Sequence, residues 1–273
     1  MNDCVHIVQT SQIAKQGEGL MLIILTMLVV GILLGFIGAG GAGTIIAILT
    51  AFFGVPVHIA LGISLASMVF TSISGAYSHF RENNVVMRVG IITGIFGALG
   101  AFIGSRIAHL IPGYILAWLT AGMMFLAAVL LWFRLFTKFG QFWEKTGSQQ
   151  IPVGVHFWIA AFGVGLVTGV MSGLFGIGAS PFIQIGLLVF LGLSVQQSVG
   201  TTLLIVLPIA LLGSFGYYSV GNFDVILFMK VIAGTMIGSY IGAKFTSRVN
   251  PMILKVALIA VPVVSGLLLV LGK

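Results

Sequence analysis

The stretch that decides the fold is residues 169–182, GVMSGLFGIGASPF. It begins as an apolar run typical of a transmembrane helix, then becomes rich in glycine and meets Pro181 where the helix would be deep in the bilayer. Residues 35–46, GFIGAGGAGTII, repeat the pattern. Lipid cannot satisfy the N–H and C=O groups that such breaks release, so irregular backbone persists there only inside protein or beside a wet cavity. The two stretches therefore predict interrupted helices inside a polytopic protein.

The composition indicates the same class of protein. Hydrophobic residues make up 59% of the chain and charged residues 6%, whereas soluble domains carry about 25% charged residues. Apolar segments long enough to cross a bilayer recur along the whole length. We therefore predict an all-α polytopic membrane protein with no separate soluble domain and a lipid bilayer as its surroundings.

The charged and sulfur-containing residues exclude several other classes. A net charge of +7 indicates membrane orientation rather than a nucleic-acid partner, because basic residues collect in cytoplasmic loops. A single cysteine, Cys4, excludes an internal disulfide and a thiolate metal cluster. No predicted span contains Asp or Glu, which disfavours a buried carboxylate proton relay. We predict no cofactor, no metal and no enzymatic activity.

The chain matches itself without a gap when it is shifted so that Gly31 falls on Gly169. We call this match the repeat alignment. Nine glycines of the first half fall on glycines of the second, where glycine frequency alone gives about two. The first-half glycines are Gly31, Gly35, Gly38, Gly40, Gly54, Gly62, Gly75, Gly100 and Gly104. The repeat alignment predicts two homologous repeats.

The repeats organise the chain into a tail (1–19), a first repeat (20–137), a loop (138–154) and a second repeat (155–273). Each repeat reads as helix A, a short piece B, and helices C, D and E. The first copies are predicted at 20–38, 44–54, 57–80, 86–108 and 112–136, and the second at 155–175, 182–192, 195–219, 225–247 and 251–271. Piece B would reach only about 17 Å, roughly half the hydrocarbon thickness. We therefore expect about eight transmembrane helices and two short broken or re-entrant helices.

Basic residues give the orientation. Arg81 and Arg88 precede the first helix D, and Arg134, Lys138 and Lys145 follow the first helix E. Two crossings separate these groups, so they share one side, which we expect to be the cytoplasmic side of the plasma or inner membrane. If piece B does not cross, the repeats are parallel; if it crosses, they are inverted, as in many transporters. The sequence leaves this choice open.

The glycines fall into two kinds. Pairs spaced four apart are typical of closely packed membrane helices; these are Gly31/Gly35, Gly100/Gly104, Gly165/Gly169/Gly173 and Gly238/Gly242. The denser clusters at 38–43 and 176–181 predict unwound backbone. A helix that starts just after such a break points free N–H groups and its positive end at one spot, which suits a small anion. The alternative is a pair of tight turns near the membrane surface.

Polar residues around the breaks are candidates for completing an anion site. They are Thr44, Ser180 and Gln184 beside the breaks, Ser64, Ser67 and Thr71 on one face of helix C, and Thr201 and Thr202 in its second copy. Each hydroxyl taken singly is also explained by a bond within its own helix. His79, Arg106 and Lys244 are candidates for gating or coupling, with a simple interfacial position as the alternative. Asp224 is expected to cap the second helix D.

Several of these motifs together resemble the sulfite exporter TauE/SafE family of permeases. They are GFIGAGGAG and GLFGIGASPF, each followed by GISLA or GTTLL, together with SHFRENNVVMRV and GALGAFIGSRIA. The resemblance implies transport of small sulfur-containing anions such as sulfite or organosulfonates. By position it implicates Gly38, Gly40, Gly41, Gly176, Gly178, Ser64, Thr201 and Thr202, with His79 and Asn84 at the turn between helices C and D. The second cluster departs from the family pattern, because Ala179 stands where a third glycine is usual.

The sequence thus predicts a permease that moves such anions by alternating access. An anion channel, or a transporter of another carboxylate or oxyanion, is the alternative. The exact substrate, the direction of transport, coupling to protons and homo-oligomerisation stay open.

Overall fold

The computed structural model describes residues 21–34, 42–136, 152, 154–246 and 251–271. Every regular element in these ranges is an α-helix. The helices, numbered in chain order, are α1 Met21–Leu34, α2 Ala42–Ala51, α3 Val57–Arg81, α4 Met87–Leu110, α5 Gly113–Phe136, α6 Val155–Phe175, α7 Ser180–Val189, α8 Val195–Ser219, α9 Val225–Thr246 and α10 Pro251–Leu271. The predicted all-α class is confirmed for these residues.

Local sequence explains where several helices begin and end. The Ser194 hydroxyl accepts the N–H of Gln197, whose side chain accepts the N–H of Ser194, and this reciprocal pair starts α8. Asp224 accepts the N–H of Leu227 at the start of α9, as predicted. Gly54 and Gly192, with φ of 63° and 65°, follow α2 and α7, since a left-handed residue ends a helix most easily when it is glycine.

The surface of the helix bundle is apolar. On α4, the side chains of Ile91, Ile95, Leu99 and Ile103 are about half exposed, while the glycines and alanines on the opposite face are buried. A water-soluble protein does not expose such a continuous apolar face, whereas a bilayer covers it. The described helices therefore form a polytopic membrane protein.

Five helices are long and apolar enough to cross a bilayer: α3, α4, α5 (as Gly113–Phe133), α6 and α8. Helix α1 stops at residues that the structure does not describe. In α9 and α10 the described apolar segments, Val225–Ile241 and Val256–Leu271, are under 18 residues. The count of eight spans therefore stays a prediction.

Helix α4 lies between α6 and α8 and runs in the same direction as both. An added Cβ on Gly165 would lie 2.5 Å from the Thr93 carbonyl oxygen, and one on Gly104 would lie 3.0 Å from the Leu174 amide nitrogen, so α4 and α6 ascend together. Against α8, the Val86 N–H donates to the Thr201 hydroxyl at the start of α4, and Ser105 meets Gly216 near its end. Helices α6 and α8 are therefore parallel, and the chain must return between them through α7.

Helices α3 and α8 run in opposite directions. The start of α3 meets the end of α8, where an added Cβ on Gly62 would lie 2.9 Å from Tyr217 Cβ. The later part of α3 meets the earlier part of α8, where one on Gly75 would lie 2.8 Å from Leu203 Cδ1. These two helices are equivalent in the repeat alignment.

Contacts between the halves recur with their partners exchanged. If a first-half residue contacts a second-half residue, the equivalents of the two in the repeat alignment also contact each other. The contact pairs are Gly62–Asn222 and Gly200–Asn84, Gly75–Leu203 and Gly213–Leu65, and Gly238–Leu28 and Gly100–Leu166. Turn geometry recurs as well: the Val55 N–H donates to the Leu49 carbonyl at 3.0 Å, and that of Leu193 to the Leu187 carbonyl at 3.2 Å.

Candidate functional site

The second helix break is a short left-handed segment between α6 and α7. Gly176 ends α6 with φ 66°, Gly178 has φ 70°, and Ala179 has φ 46°. Helix α7 then starts at Ser180 with Pro181 in its first turn, where a proline removes no helical hydrogen bond. Residues 176–179 are all buried. We call this segment, residues 176–179, the α6–α7 break.

The α6–α7 break lies deep in the bundle rather than at its edge. Gly176 packs on Leu61 of α3, and an added Cβ on Gly178 would overlap the side chain of Met68. Helix α3 has 25 residues and is about 38 Å long at 1.5 Å per residue. Met68 is close to its midpoint. The break therefore lies beside the first half of α3, between its fifth residue and its midpoint, and is enclosed by protein, as irregular backbone within the bilayer must be.

The backbone of the α6–α7 break offers unused donors. The Gly176 N–H donates to the Ser172 carbonyl at 2.8 Å, and those of Phe182 and Ile183 donate to the Ala179 carbonyl at 3.0 Å. Within the described residues, no hydrogen-bond acceptor is recorded for the amides of residues 177–179. They lie at the N-terminus of α7, where the helix dipole is positive. Buried N–H groups at such an end favour an anion.

One predicted hydroxyl reaches the break. Ser64 of α3 donates to the Gly176 carbonyl at 2.9 Å and is also 2.9 Å from the Leu61 carbonyl. Ser67 donates to Ile63 of its own helix at 2.9 Å, and Thr71 to Met68 at 3.0 Å. Ser64 thus ties α3 to the break, while the other two hydroxyls have the intrahelical bonds that were the alternative.

Tyr217 also holds the break, and sequence reasoning missed it. Its hydroxyl is fully buried and donates to the Gly173 carbonyl at 2.8 Å, in the last turn of α6. This bond connects α8 to a carbonyl that the broken helix leaves without an intrahelical partner. A signal was present, because Tyr217 is equivalent to His79 in the repeat alignment. Leu61 and Met68 were missed too, since nothing in the sequence places α3 beside the break.

The threonines have separate positions. Thr201 accepts the Val86 N–H at 3.0 Å and so joins α8 to the start of α4. Thr202 is 1% exposed, and its hydroxyl has no hydrogen-bond partner among the described residues. Thr44 of α2 accepts the Ser265 hydroxyl of α10 at 3.1 Å. Ser180 and Gln184 are partly buried in the first part of α7.

The three residues suggested for gating or coupling are not brought together by any described contact. Nδ1 of His79 lies 3.8 Å from Oε2 of Glu82 and makes no hydrogen bond. Arg106 is exposed, with its guanidinium 5.1 Å from the centre of the Phe102 ring. Lys244 lies in the last turn of α9. These positions agree with interfacial residues and leave a gating role untested.

The first glycine cluster, with Gly38, Gly40 and Gly41, lies outside the described residues. Among the described residues no group of three His, Cys, Asp or Glu side chains could hold a metal ion. The described part of the site offers buried backbone N–H groups at the start of α7, with the Ser64 hydroxyl beside them.

Comparisons with known proteins identify the family of the chain. The model of the family "Sulfite exporter TauE/SafE" matches residues 23–269. The probable membrane transporter protein YdhB of Bacillus subtilis is 50% identical over 249 residues, covering 91% of this chain and 99% of the relative. A probable membrane transporter protein of Xylella fastidiosa is 29% identical, over 80% of this chain and 82% of the relative. The probable membrane transporter protein YjnA of B. subtilis is 26% identical, over 91% of this chain and 98% of the relative.

No solved structure matches the chain. The family match extends from α1 into α10 and includes the α6–α7 break, Ser64 and Tyr217. The chain therefore belongs to the sulfite exporter TauE/SafE family.

Proposed function

We propose that this protein is a membrane permease that moves small sulfur-containing anions, such as sulfite or organosulfonates, by alternating access. The observation that carries the proposal is the buried α6–α7 break. Three amides without a described acceptor stand there at a helix N-terminus, buried inside the helix bundle. Transporters use half-helix N-termini in this way for anionic substrate groups. The family description and the relatives' names as transporters support the same conclusion.

The substrate site comprises both breaks. In the second, we assign Gly176 and Gly178 of the break, Ser180 and Gln184 in the first part of α7, and Ser64, which bonds the Gly176 carbonyl. Thr202 is equivalent to Ser64 in the repeat alignment, and its buried hydroxyl has no partner among the described residues. We therefore propose it as a polar group of the site, to which Gly38, Gly40 and Gly41 are assigned by the repeat alignment alone. Ser67, Thr44 and Thr201 complete the predicted polar set. The proposal also assigns candidate gating or coupling roles to three residues. They are His79, for coupling to protons, and Arg106 and Lys244, for gating.

We infer that the two halves are inverted repeats. The exchanged contacts and the opposite directions of α3 and α8 support this relation. Inverted repeats suit alternating access, because exchanging the conformations of the two halves moves the opening from one side of the site to the other.

The orientation follows from the same geometry. Helix α8 starts on the side of Arg81, and α9 returns to that side with Lys244 in its last turn. Lys255, near the start of α10, is expected there as well. This concentration of basic residues, together with Arg88 and Arg134, supports a cytoplasmic position for the Arg81 side of the cell membrane.

An anion channel built on the same breaks is the second candidate, and a transporter of another small carboxylate or oxyanion is a third. A channel conducts without saturation, whereas a permease saturates because each turnover requires a conformational change. Uptake of sulfite, thiosulfate, taurine and acetate into proteoliposomes, with current recordings on the same protein, separates these functions.

The decisive variant is Ser64→Ala, with Ser214→Ala as the matched control. Ser64 bonds the break, whereas the Ser214 hydroxyl bonds only the Leu211 carbonyl of its own helix at 3.0 Å. Loss of one hydrogen bond of about 1 kcal/mol reduces uptake about fivefold if it perturbs the site. We expect that reduction for Ser64→Ala and unchanged uptake for Ser214→Ala. Unsaturable currents, or no uptake of any sulfur anion, would refute the proposal.

A further inference from the structure

Two helix interfaces that are equivalent in the repeat alignment differ in this structure. Helix α4 packs on α8, and the equivalent pair is α9 with α3. The α4–α8 interface is closed along its length. An added Cβ on Gly94 would lie 3.0 Å from Pro208 Cγ, and one on Gly213 would lie 3.5 Å from Ala101 Cβ. Near its far end Ser105 meets Gly216.

The α3–α9 interface is not closed in the same way. Ile209 of α8 is fully buried, but its equivalent on α3, Thr71, is exposed. Ala98 of α4 is 3% exposed, while its equivalent on α9, Met236, is 49% exposed. The equivalent of the buried Gly216 is Ser78, which is also exposed. The difference lies in the half of α3 that ends at Arg81.

The uncovered surface of α3 is polar. Thr71, Ser74 and Ser78 follow one another at helical spacing and form what we call the α3 hydroxyl stripe. The exposed side chains of Phe70, Ile73 and Tyr77 lie on an adjoining face whose centre is roughly 100° around the helix, and Ser74 stands at the border, one turn from Phe70. Helix α3 therefore presents an apolar face suited to lipid and, beside it, a hydroxyl face.

The α3 hydroxyl stripe leads from the Arg81 side to the break. Ser67 continues it one turn deeper, where it is buried, and the next residue, Met68, lies against Gly178. The equivalents of the stripe on α8 are nonpolar: Ile209 and Gly216 are buried, whereas Leu212, the equivalent of Ser74, is 37% exposed. If both equivalent interfaces stayed closed throughout transport, hydroxyl groups on α3 alone would have no purpose. A surface that water reaches during the transport cycle is stabilised by such hydroxyl groups.

We propose that Thr71, Ser74 and Ser78 line a water-filled vestibule between α3 and α9 that opens on the Arg81 side. During transport α9 moves onto α3 and closes the vestibule, while α4 and α8 separate. The vestibule is the route between that side and the substrate site, so this inference rests on the proposed permease function. The present structure is then one of two end states, and its counterpart has the two interfaces exchanged.

The first test measures water access without transport. Cys4, the sole cysteine of the chain, is replaced by serine, and Ser74→Cys and Ser78→Cys are introduced singly. The matched controls at the same depth are Ile73→Cys and Tyr77→Cys on the apolar face. A charged, membrane-impermeant thiol reagent should label the stripe variants from the Arg81 side at least tenfold faster than the controls. Equal slow labelling of all four would overturn the vestibule.

The second test concerns the exchange of interfaces. An Ala101→Cys/Gly213→Cys pair has a Cβ separation suited to a disulfide, and the cross-linked protein should keep the stripe reactive. The equivalent pair is Gly75→Cys/Ser239→Cys. Its cross-link should form more slowly and reduce labelling of Ser78→Cys at least tenfold. If both disulfides form together in one molecule, the two interfaces close independently and the exchange is wrong.

These readouts separate the inference from the permease function itself. Uptake by the cysteine-free protein tests the function, whereas labelling and cross-linking test the vestibule. Saturable uptake with an unreactive stripe leaves the permease and removes the vestibule. A reactive stripe without uptake of any sulfur anion supports the vestibule and contradicts the proposed substrate class.

Discussion

At the scale of the residue, Ala179 shows what the α6–α7 break requires of the backbone. Its φ of 46° and ψ of 22° are left-handed, a conformation that costs an L-residue with a Cβ roughly 1–2 kcal/mol. Gly176 and Gly178 adopt the same region without that cost because they lack a Cβ. The strain persists because the surrounding helices hold the turn, which is the usual condition for strain at a functional site.

Replacing Ala179 by glycine should relieve this strain. We expect Ala179→Gly to leave the free energy of unfolding unchanged or to raise it by up to about 1 kcal/mol, since the greater freedom of glycine in the unfolded chain offsets part of the gain. Ala161→Gly, inside α6, should lower the same quantity by about 1 kcal/mol. Thermal unfolding in detergent compares the two. Equal destabilisation by both changes would show that Ala179 is not strained.

At the scale of the element, a glycine matters for helix packing only when it lies on the face that contacts a neighbouring helix. Added Cβ atoms on Gly100 and Gly31 would lie 2.5 Å from the Leu166 carbonyl and 2.6 Å from the Thr235 carbonyl. The prediction of close helix packing is thus confirmed for Gly31, Gly238 and the glycines of the Gly100/Gly104 and Gly165/Gly169/Gly173 sets, while Gly35 lies outside the described residues. A Cβ added to Gly122 of α5 would meet no atom of the other described helices within 4 Å. The position of a glycine within the bundle, not its frequency, decides its role.

This difference predicts opposite effects of one substitution. Gly100→Ala should lower the free energy of unfolding by about 1–3 kcal/mol because α4 and α6 must separate. Gly122→Ala should raise it by up to about 1 kcal/mol through helix propensity alone. The melting temperature and the fraction of monodisperse protein after purification measure both. A neutral Gly100→Ala would mean that the two helices are less tightly packed than described.

The elements were predictable to within a few residues, and the differences have local causes. The short helices were expected at 44–54 and 182–192 but span Ala42–Ala51 and Ser180–Val189. Pro181 was read as part of the break, yet it fits the first turn of α7. Gly54 and Gly192, at the predicted ends of these helices, have left-handed backbones, and the helices end three residues before them. The partners of the break, Leu61, Met68 and Tyr217, come from distant helices and could not be read from local patterns.

At the scale of the whole molecule, the sequence did not predict whether the two repeats are parallel or inverted in the membrane. Piece B has the same composition whether it turns back within the membrane or carries the chain across. The contacts of α4 with α6 and α8 support the inverted relation inferred above, since both neighbours run parallel to α4 and α7 must return the chain. Inverted repeats require an odd number of crossings per repeat, and they predict that equivalent positions lie on opposite sides of the membrane.

The opposite sides can be tested at two equivalent turns. Glu82 follows α3, and Ser219, the equivalent of its neighbour Arg81, ends α8; both are exposed. In the Cys4→Ser protein within intact cells, an impermeant maleimide should label Ser219→Cys from outside, whereas Glu82→Cys should react only after the membrane is opened. Parallel repeats require both sites to react from the same side. The reverse pattern, with Glu82→Cys outside, would keep the repeats inverted but place the Arg81 side outside, because basic residues would then not have set the orientation.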